Sequence, residues 1–203
     1  MRPWSHRAHT TSVAHTQALA EALAALSRPG DLVVLAGEMG AGKTAFAQGF
    51  ARGLGVTERV TSPTFTIVRE YAGTELALHH LDVYRLDQLR EVPELGVGEM
   101  LDEDAVMLVE WGDAVLPALG DQYLEVRLEF GADDDHRFVE ITPCGTPWAA
   151  RGRVVGDALA PWLAAPGDAP GTPATPDTPE GQEPSCWSPG SRAPPRRGAA
   201  PSA

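Results

Sequence analysis

Gly37-Glu38-Met39-Gly40-Ala41-Gly42-Lys43-Thr44 sets an ammonium group beside a hydroxyl at the end of a glycine-rich run. Lys43 is the only lysine in 203 residues, and every other basic residue is arginine. The spacing G-x-x-x-x-G-K-T is that of a phosphate-binding P-loop. Glycines let consecutive backbone N–H groups turn inward around an anion, where a Cβ would obstruct them. The lysine brings a compact charge to the β- and γ-phosphates, and the threonine hydroxyl is a ligand for Mg²⁺. Arginine is planar and bulkier, and does not replace lysine in so tight a loop. The expected ATP-binding set is therefore Gly37, Glu38, Met39, Gly40, Ala41, Gly42, Lys43, Thr44 and Ala45.

Such a loop needs a carboxylate to complete the magnesium shell, delivered from the end of a neighbouring buried strand. Glu110 closes the apolar run Val106-Met107-Leu108-Val109, and Asp82 follows Leu76 to Leu81. We assign Glu110, with Thr44, to the metal, and Asp82 to a metal-bound or attacking water. The catalytic candidates are thus Lys43, Asp82 and Glu110; the bland reading of either acid is a solvated residue at a strand end. Thr61, Ser62, Pro63 and Thr64 lie about twenty residues after the P-loop, where nucleotide hydrolases often place a loop that senses the γ-phosphate. His79 and His80 lack a third ligand, so they do not form a metal site; in an alternating strand one faces inward as a hydrogen-bonded core histidine. Arg85 is either a stabiliser of transition-state charge or a structural ion pair.

Those residues require a strand before the loop and a helix after it. Asp31 to Ala36 is a short β-branched run of the kind found in buried parallel strands. Phe46, Phe50 and Leu54 recur at helical spacing, and Gly55 is a natural stop. Leu19, Leu23 and Leu26 mark one face of an earlier helix ending at Pro29-Gly30. Phe65 to Tyr71 and Glu75 to Val83 read as a hairpin, and Ala105 to Val109 as a buried strand. Leu86 to Leu101 reads as one or two short helices broken at Pro93. Tyr123 to Phe130, with Leu124, Val126, Leu128 and Phe130 inward, pairs with Arg137 to Thr142 across Asp133-Asp134-Asp135. The expected fold is α/β: a P-loop NTPase-like sandwich with a mixed, partly antiparallel central sheet flanked by helices.

Eleven of the eighteen prolines lie at Pro161 or later, in a segment too poor in aliphatic residues to offset its chain entropy. The expected organisation is a flexible N-terminus over 1–11, a P-loop ATPase domain over 12–165 and a disordered Pro/Gly/Ala-rich tail over 166–203. The net charge is −12, and the first 150 residues hold 23 acids against 11 bases. A protein gripping nucleic acid by itself would show a basic face, so any such role runs through a partner. The acids Glu91, Glu94, Glu99, Asp102, Glu103 and Asp104 form a solvated face or a surface for a basic partner. Two cysteines, Cys144 and Cys186, are too few for a disulfide framework and lack zinc spacing. With no stretch long enough to cross a bilayer and no signal-peptide core, the expectation is a soluble, cytoplasmic protein without membrane contact. The chain has no asparagine and its only lysine is committed, so an N-K-x-D guanine-reading loop is excluded and ATP is the default nucleotide.

The P-loop, then Ser62-Pro63-Thr64-Phe65, then His80-Leu81-Asp82-Val83-Tyr84-Arg85-Leu86, then Leu108-Val109-Glu110-Trp111, resemble the ordered signature of the TsaE family. The resemblance runs from about Ser12 to Thr142. It implies a small Mg²⁺-dependent ATPase, weakly active alone and stimulated in a complex, acting with the partner proteins TsaB and TsaD. Those partners attach threonylcarbamoyl to adenosine 37 of tRNAs that read codons beginning with A, so this chain would meet tRNA only through them. It also implies Thr44 and Glu110 at Mg²⁺, Lys43 and the loop amides on the phosphates, and Asp82 with the Ser-Pro-Thr segment in the catalytic surroundings. Glu38 and Met39 stand where Asp and Leu are common, and the proline-rich tail has no counterpart in shorter members.

Two other classes share the motif. A small-molecule kinase on this scaffold carries an arginine-bearing lid over the phosphates, and no lid-like insertion stands between Leu86 and Trp111. A non-catalytic nucleotide-sensing module would use ATP only to order a surface, which leaves the pair of acids without a task.

Overall fold

The computed structural model describes residues 4–63, 68–83, 104–111 and 120–163. The chain divides into one unit over Met1–Gly171 and a second over Thr172–Ala203. The second unit, the expected tail from 166, the helices expected over 86–101, Arg85 and most of the acidic cluster lie outside the described residues.

Among the described residues seven strands form one sheet: β1 (His6–Thr10), β2 (Leu32–Ala36), β3 (Val68–Tyr71), β4 (Ala77–Asp82), β5 (Ala105–Glu110), β6 (Tyr123–Phe130) and β7 (Arg137–Cys144). Their order is β1-β7-β6-β2-β5-β4-β3. The four central strands β6, β2, β5 and β4 run parallel, whereas β1, β7 and β3 pair antiparallel at the two sides. The mixed sheet expected from the sequence is therefore present.

The apolar runs of β2 and β5 follow from their position. Val33, Leu35, Val106 and Leu108 enter one core, while Leu32, Val34, Met107 and Val109 enter a second on the opposite face. A strand buried on both faces has no polar alternation to show. Helices α1 (Val13–Ala24) and α2 (Lys43–Gly53) supply Leu19, Leu23, Phe46 and Phe50 to the first core. They approach so closely that a Cβ on Gly49 would fall 2.2 Å from the Gln17 carbonyl oxygen. Ser12 caps α1 through its hydroxyl, which accepts from His15 N–H. Gly55, with φ +80°, ends α2 as expected.

Three expectations are corrected. Residues 1–11 are not a loose N-terminus throughout: His6–Thr10 is an edge strand registered from His6↔Ile141 to Thr10↔Arg137. Its fully buried positions are only Ala8 and Thr10, which carry no apolar signal among the flanking His and Arg residues. Phe130 is not inward but 47% exposed, since it ends β6 and its ring carries the Arg137 guanidinium at 4.6 Å. Beyond Thr142, β7 continues to Cys144 and two short helices follow, α3 (Thr146–Ala149) and α4 (Gly152–Leu159), which bury Trp148, Val155 and Leu159.

Candidate active site

Period-two alternation brings the acids together. Asp82 and Glu110 end adjacent parallel strands as registered partners, and Leu35, two residues before Gly37, is registered with Glu110 on the other side. Leu78, Val106 and Leu108 belong to the core beneath α1 and α2, so His80, Asp82 and Glu110 share the face toward the start of α2. The chain leaves β2 at Gly37, whose φ of +135° and 2.3 Å gap from an added Cβ to the Leu128 carbonyl oxygen admit only glycine. It enters α2 through Gly42, also left-handed at φ +103°.

The loop places Lys43 and Thr44 as the first residues of α2, where the helix presents unpaired N–H groups and partial positive charge. Lys43 is buried; its Nζ donates to the carbonyls of Gly37 and Glu38, both at 2.8 Å. The same ammonium lies 3.5 Å from the ring centroid of Trp111. Trp111 has φ +61°, an uncommon conformation for a bulky residue of the kind found where a site over-determines the backbone. Thr44 Oγ1 donates to Glu110 Oε2 at 3.1 Å, and Ser62 Oγ donates to Asp82 Oδ2 at 2.6 Å. His80 Nε2 lies 3.0 Å from Glu110 Oε1, with the imidazole fully buried.

A cleft of about 390 Å³ opens over this group. Met39, Gly40, Gly42, Lys43, Thr44, Ala45, Ser62, Asp82, Glu110 and Trp111 line it. The P-loop, both acids and Ser62 are thus brought to one cavity. Of the other expected residues, Gly37 and Glu38 offer carbonyls to Lys43, and Ala41 is buried with its carbonyl accepting from Arg137 Nε at 3.0 Å. Thr61 is exposed and its hydroxyl accepts from Arg69 at 3.2 Å, whereas Pro63 is buried. Thr64 lies outside the described residues.

The donor set suits a hard divalent ion. Thr44 and Glu110 offer two oxygens in contact with one another at the mouth of a helix. Among the described residues no group of three or more His, Cys, Asp or Glu is arranged to hold a metal ion by itself. An ion held here would fill its shell with phosphate oxygens and water, as Mg²⁺ prefers.

Sequence reasoning gave no role to three residues of the site. Trp111 was visible only as the residue after Glu110 and as the last of the family signature, with no contact assigned to it. His80 is two positions from Asp82, which in a strand means the same face, and that spacing was the available signal. The hairpin near Arg137 was expected only as a wall for the adenine; its contact with the P-loop, from 96 positions away, was not legible.

A model of the family described as "Threonylcarbamoyl adenosine biosynthesis protein TsaE" matches residues 10–138. The chain is 42% identical over 136 residues to the tRNA threonylcarbamoyladenosine biosynthesis protein TsaE of Bacillus subtilis, covering 67% of this chain and 84% of that one. The Streptomyces coelicolor protein of the same name is 42% identical over 137 residues, covering 64% and 92%. Among solved structures, that of Bacillus subtilis YdiB superposes with a TM-score of 0.63 at 33% identity, over 79% of this chain and 97% of that one. The chain belongs to the TsaE family of threonylcarbamoyl adenosine biosynthesis proteins.

Proposed function

We propose that this protein binds ATP with Mg²⁺ in the P-loop cleft and hydrolyses it as an accessory ATPase of tRNA N6-threonylcarbamoyladenosine formation. The observation that carries the reading is the contact of Thr44 Oγ1 with Glu110 Oε2, one residue from a buried lysine at the start of α2. The loop amides and Lys43 bind and orient the phosphates; carbonyl contacts and the Trp111 ring hold the ammonium at the floor of the cleft. Thr44 and Glu110 would hold the magnesium ion, which when bound neutralises charge developing on the phosphoryl oxygens. Asp82, which accepts from the Ser62 hydroxyl, would hold a metal-bound water or orient the attacking one.

The acidic balance of the chain supports a division of labour with partners. A chain of net charge −12 leaves the tRNA phosphates to proteins of the TsaB and TsaD type; weak activity alone is what the family resemblance implies. The names of the curated relatives support the pathway. The test is phosphate release from ATP by the full chain, alone and with those partners, alongside threonylcarbamoyl transfer to tRNA. Wild type is expected to turn over slowly alone and faster in the mixture, with Lys43→Ala about 100- to 1000-fold slower in both; normal hydrolysis and modification by Lys43→Ala would overturn the reading.

A further inference from the structure

His80 is a fully buried polar side chain that the reading above leaves without a task. Its Nε2 lies 3.0 Å from Glu110 Oε1, while the other oxygen of that carboxylate, Oε2, receives the Thr44 hydroxyl. An ionised carboxylate only accepts, so the ring nitrogen facing it donates. Nδ1, the other ring nitrogen, is buried without a hydrogen-bond partner, and the Tyr71 ring lies with its centroid 6.5 Å from that of the imidazole. The imidazole therefore spends its polar contact on Glu110 alone. In register, His80 is opposite Leu108 and Asp82 is opposite Glu110, so His80 reaches diagonally across the β4–β5 pair beneath the carboxylate.

We infer that His80 is a positioning residue: it pins Glu110 Oε1 from below, so that Oε2 is presented to Thr44 and to the cation held there. A carboxylate on a two-carbon side chain rotates freely unless its oxygens are tied, and among the described residues Thr44 and His80 are the groups that hydrogen-bond the Glu110 carboxylate. This inference rests on the Mg²⁺-nucleotide reading. Outer groups that orient a metal ligand typically contribute about 10–100-fold in metal affinity or activity.

The test compares His80→Asn and His80→Gln in the full chain, because the two amides differ in reach. Gln places a donor near the position of imidazole Nε2, whereas Asn stops short and leaves Oε1 without its donor. Binding of a fluorescent ATP analogue is followed against Mg²⁺ concentration and again with EDTA. His80→Asn should raise the half-saturating Mg²⁺ by about 10–100-fold, leave affinity in EDTA unchanged, and add nothing further on a Glu110→Gln background. His80→Gln should restore most of the Mg²⁺ response. Equal loss of affinity with and without Mg²⁺ would mark a merely structural histidine, and a wild-type Mg²⁺ response in His80→Asn would equally overturn the assignment. Absence of Mg²⁺-dependent binding in the wild-type chain is a different failure, since it removes the nucleotide reading itself and the role of His80 with it.

Discussion

Asp31, just before β2, and Glu110, beside its far end, are both buried carboxylates of one sheet, and their surroundings differ. Arg151 grips Asp31 with two donors, at 2.6 and 2.7 Å, and the Arg28 amide adds a third at 2.8 Å. The same guanidinium stacks over Trp148 at 4.2 Å, so charge and shape are both closed off. Glu110 instead meets a hydroxyl and an imidazole and faces the cleft. Among the described residues no guanidinium shares its oxygens. One end of the strand fastens the C-terminal helices to the sheet; the other keeps polar groups assembled and accessible. Buried charge is thus matched by a guanidinium where it holds the fold and met by a hydroxyl and an imidazole where the cation is proposed to bind.

The contrast breaks most severely at the closed end. Arg151→Ala leaves Asp31 buried and unpaired, with an expected loss of about 3–5 kcal/mol and a melting temperature lower by about 6–20 °C. Nucleotide affinity of the molecules that remain folded should be unchanged, and joint replacement of the pair by Leu and Met should recover most of the stability. Thermal melts with binding isotherms on the same samples check both statements. At the open end the pattern reverses: Lys43→Ala should reduce turnover by about 100- to 1000-fold, the scale of losing one charge-stabilising donor. Its melting point without nucleotide should stay near wild type, and a large fall would mean that Lys43 is structural. Ser62→Ala removes a bond to a carboxylate of the kind that contributes about 1.5–3 kcal/mol, so turnover should fall by about ten- to a hundredfold. Nucleotide affinity, measured by titration, should hold in that variant. The smallest effect is expected of Phe130→Ala, which frees Arg137 behind the P-loop and costs about 0.5–1 kcal/mol in nucleotide affinity.

Legibility in the sequence followed the range of the interaction. The P-loop, its preceding strand and the helix after it are contiguous, so spacing alone located Lys43, Thr44 and the stop at Gly55. Glu110 and Asp82 were legible because each ends an apolar run, and a buried parallel strand reveals itself by that composition. The strand His6–Thr10 was not, since an edge strand with one inward alanine and one inward threonine lacks an apolar period. Phe130 misled for a related reason: alternation predicts a side, but a strand end can project past the layer that would cover it.

By itself the chain determined a glycine-rich loop of P-loop spacing with one ammonium, the two acid-bearing strand ends and an acidic balance of −12. These are properties of contiguous residues and of composition, so no folding is needed to read them. Only tertiary structure decided that His80 lies under Glu110, that Trp111 lies against Lys43 and that Arg137 supports the loop from 96 positions away. Strand register and the path of each connection bring such groups within 3 to 5 Å of one another, and neither is written in any local pattern.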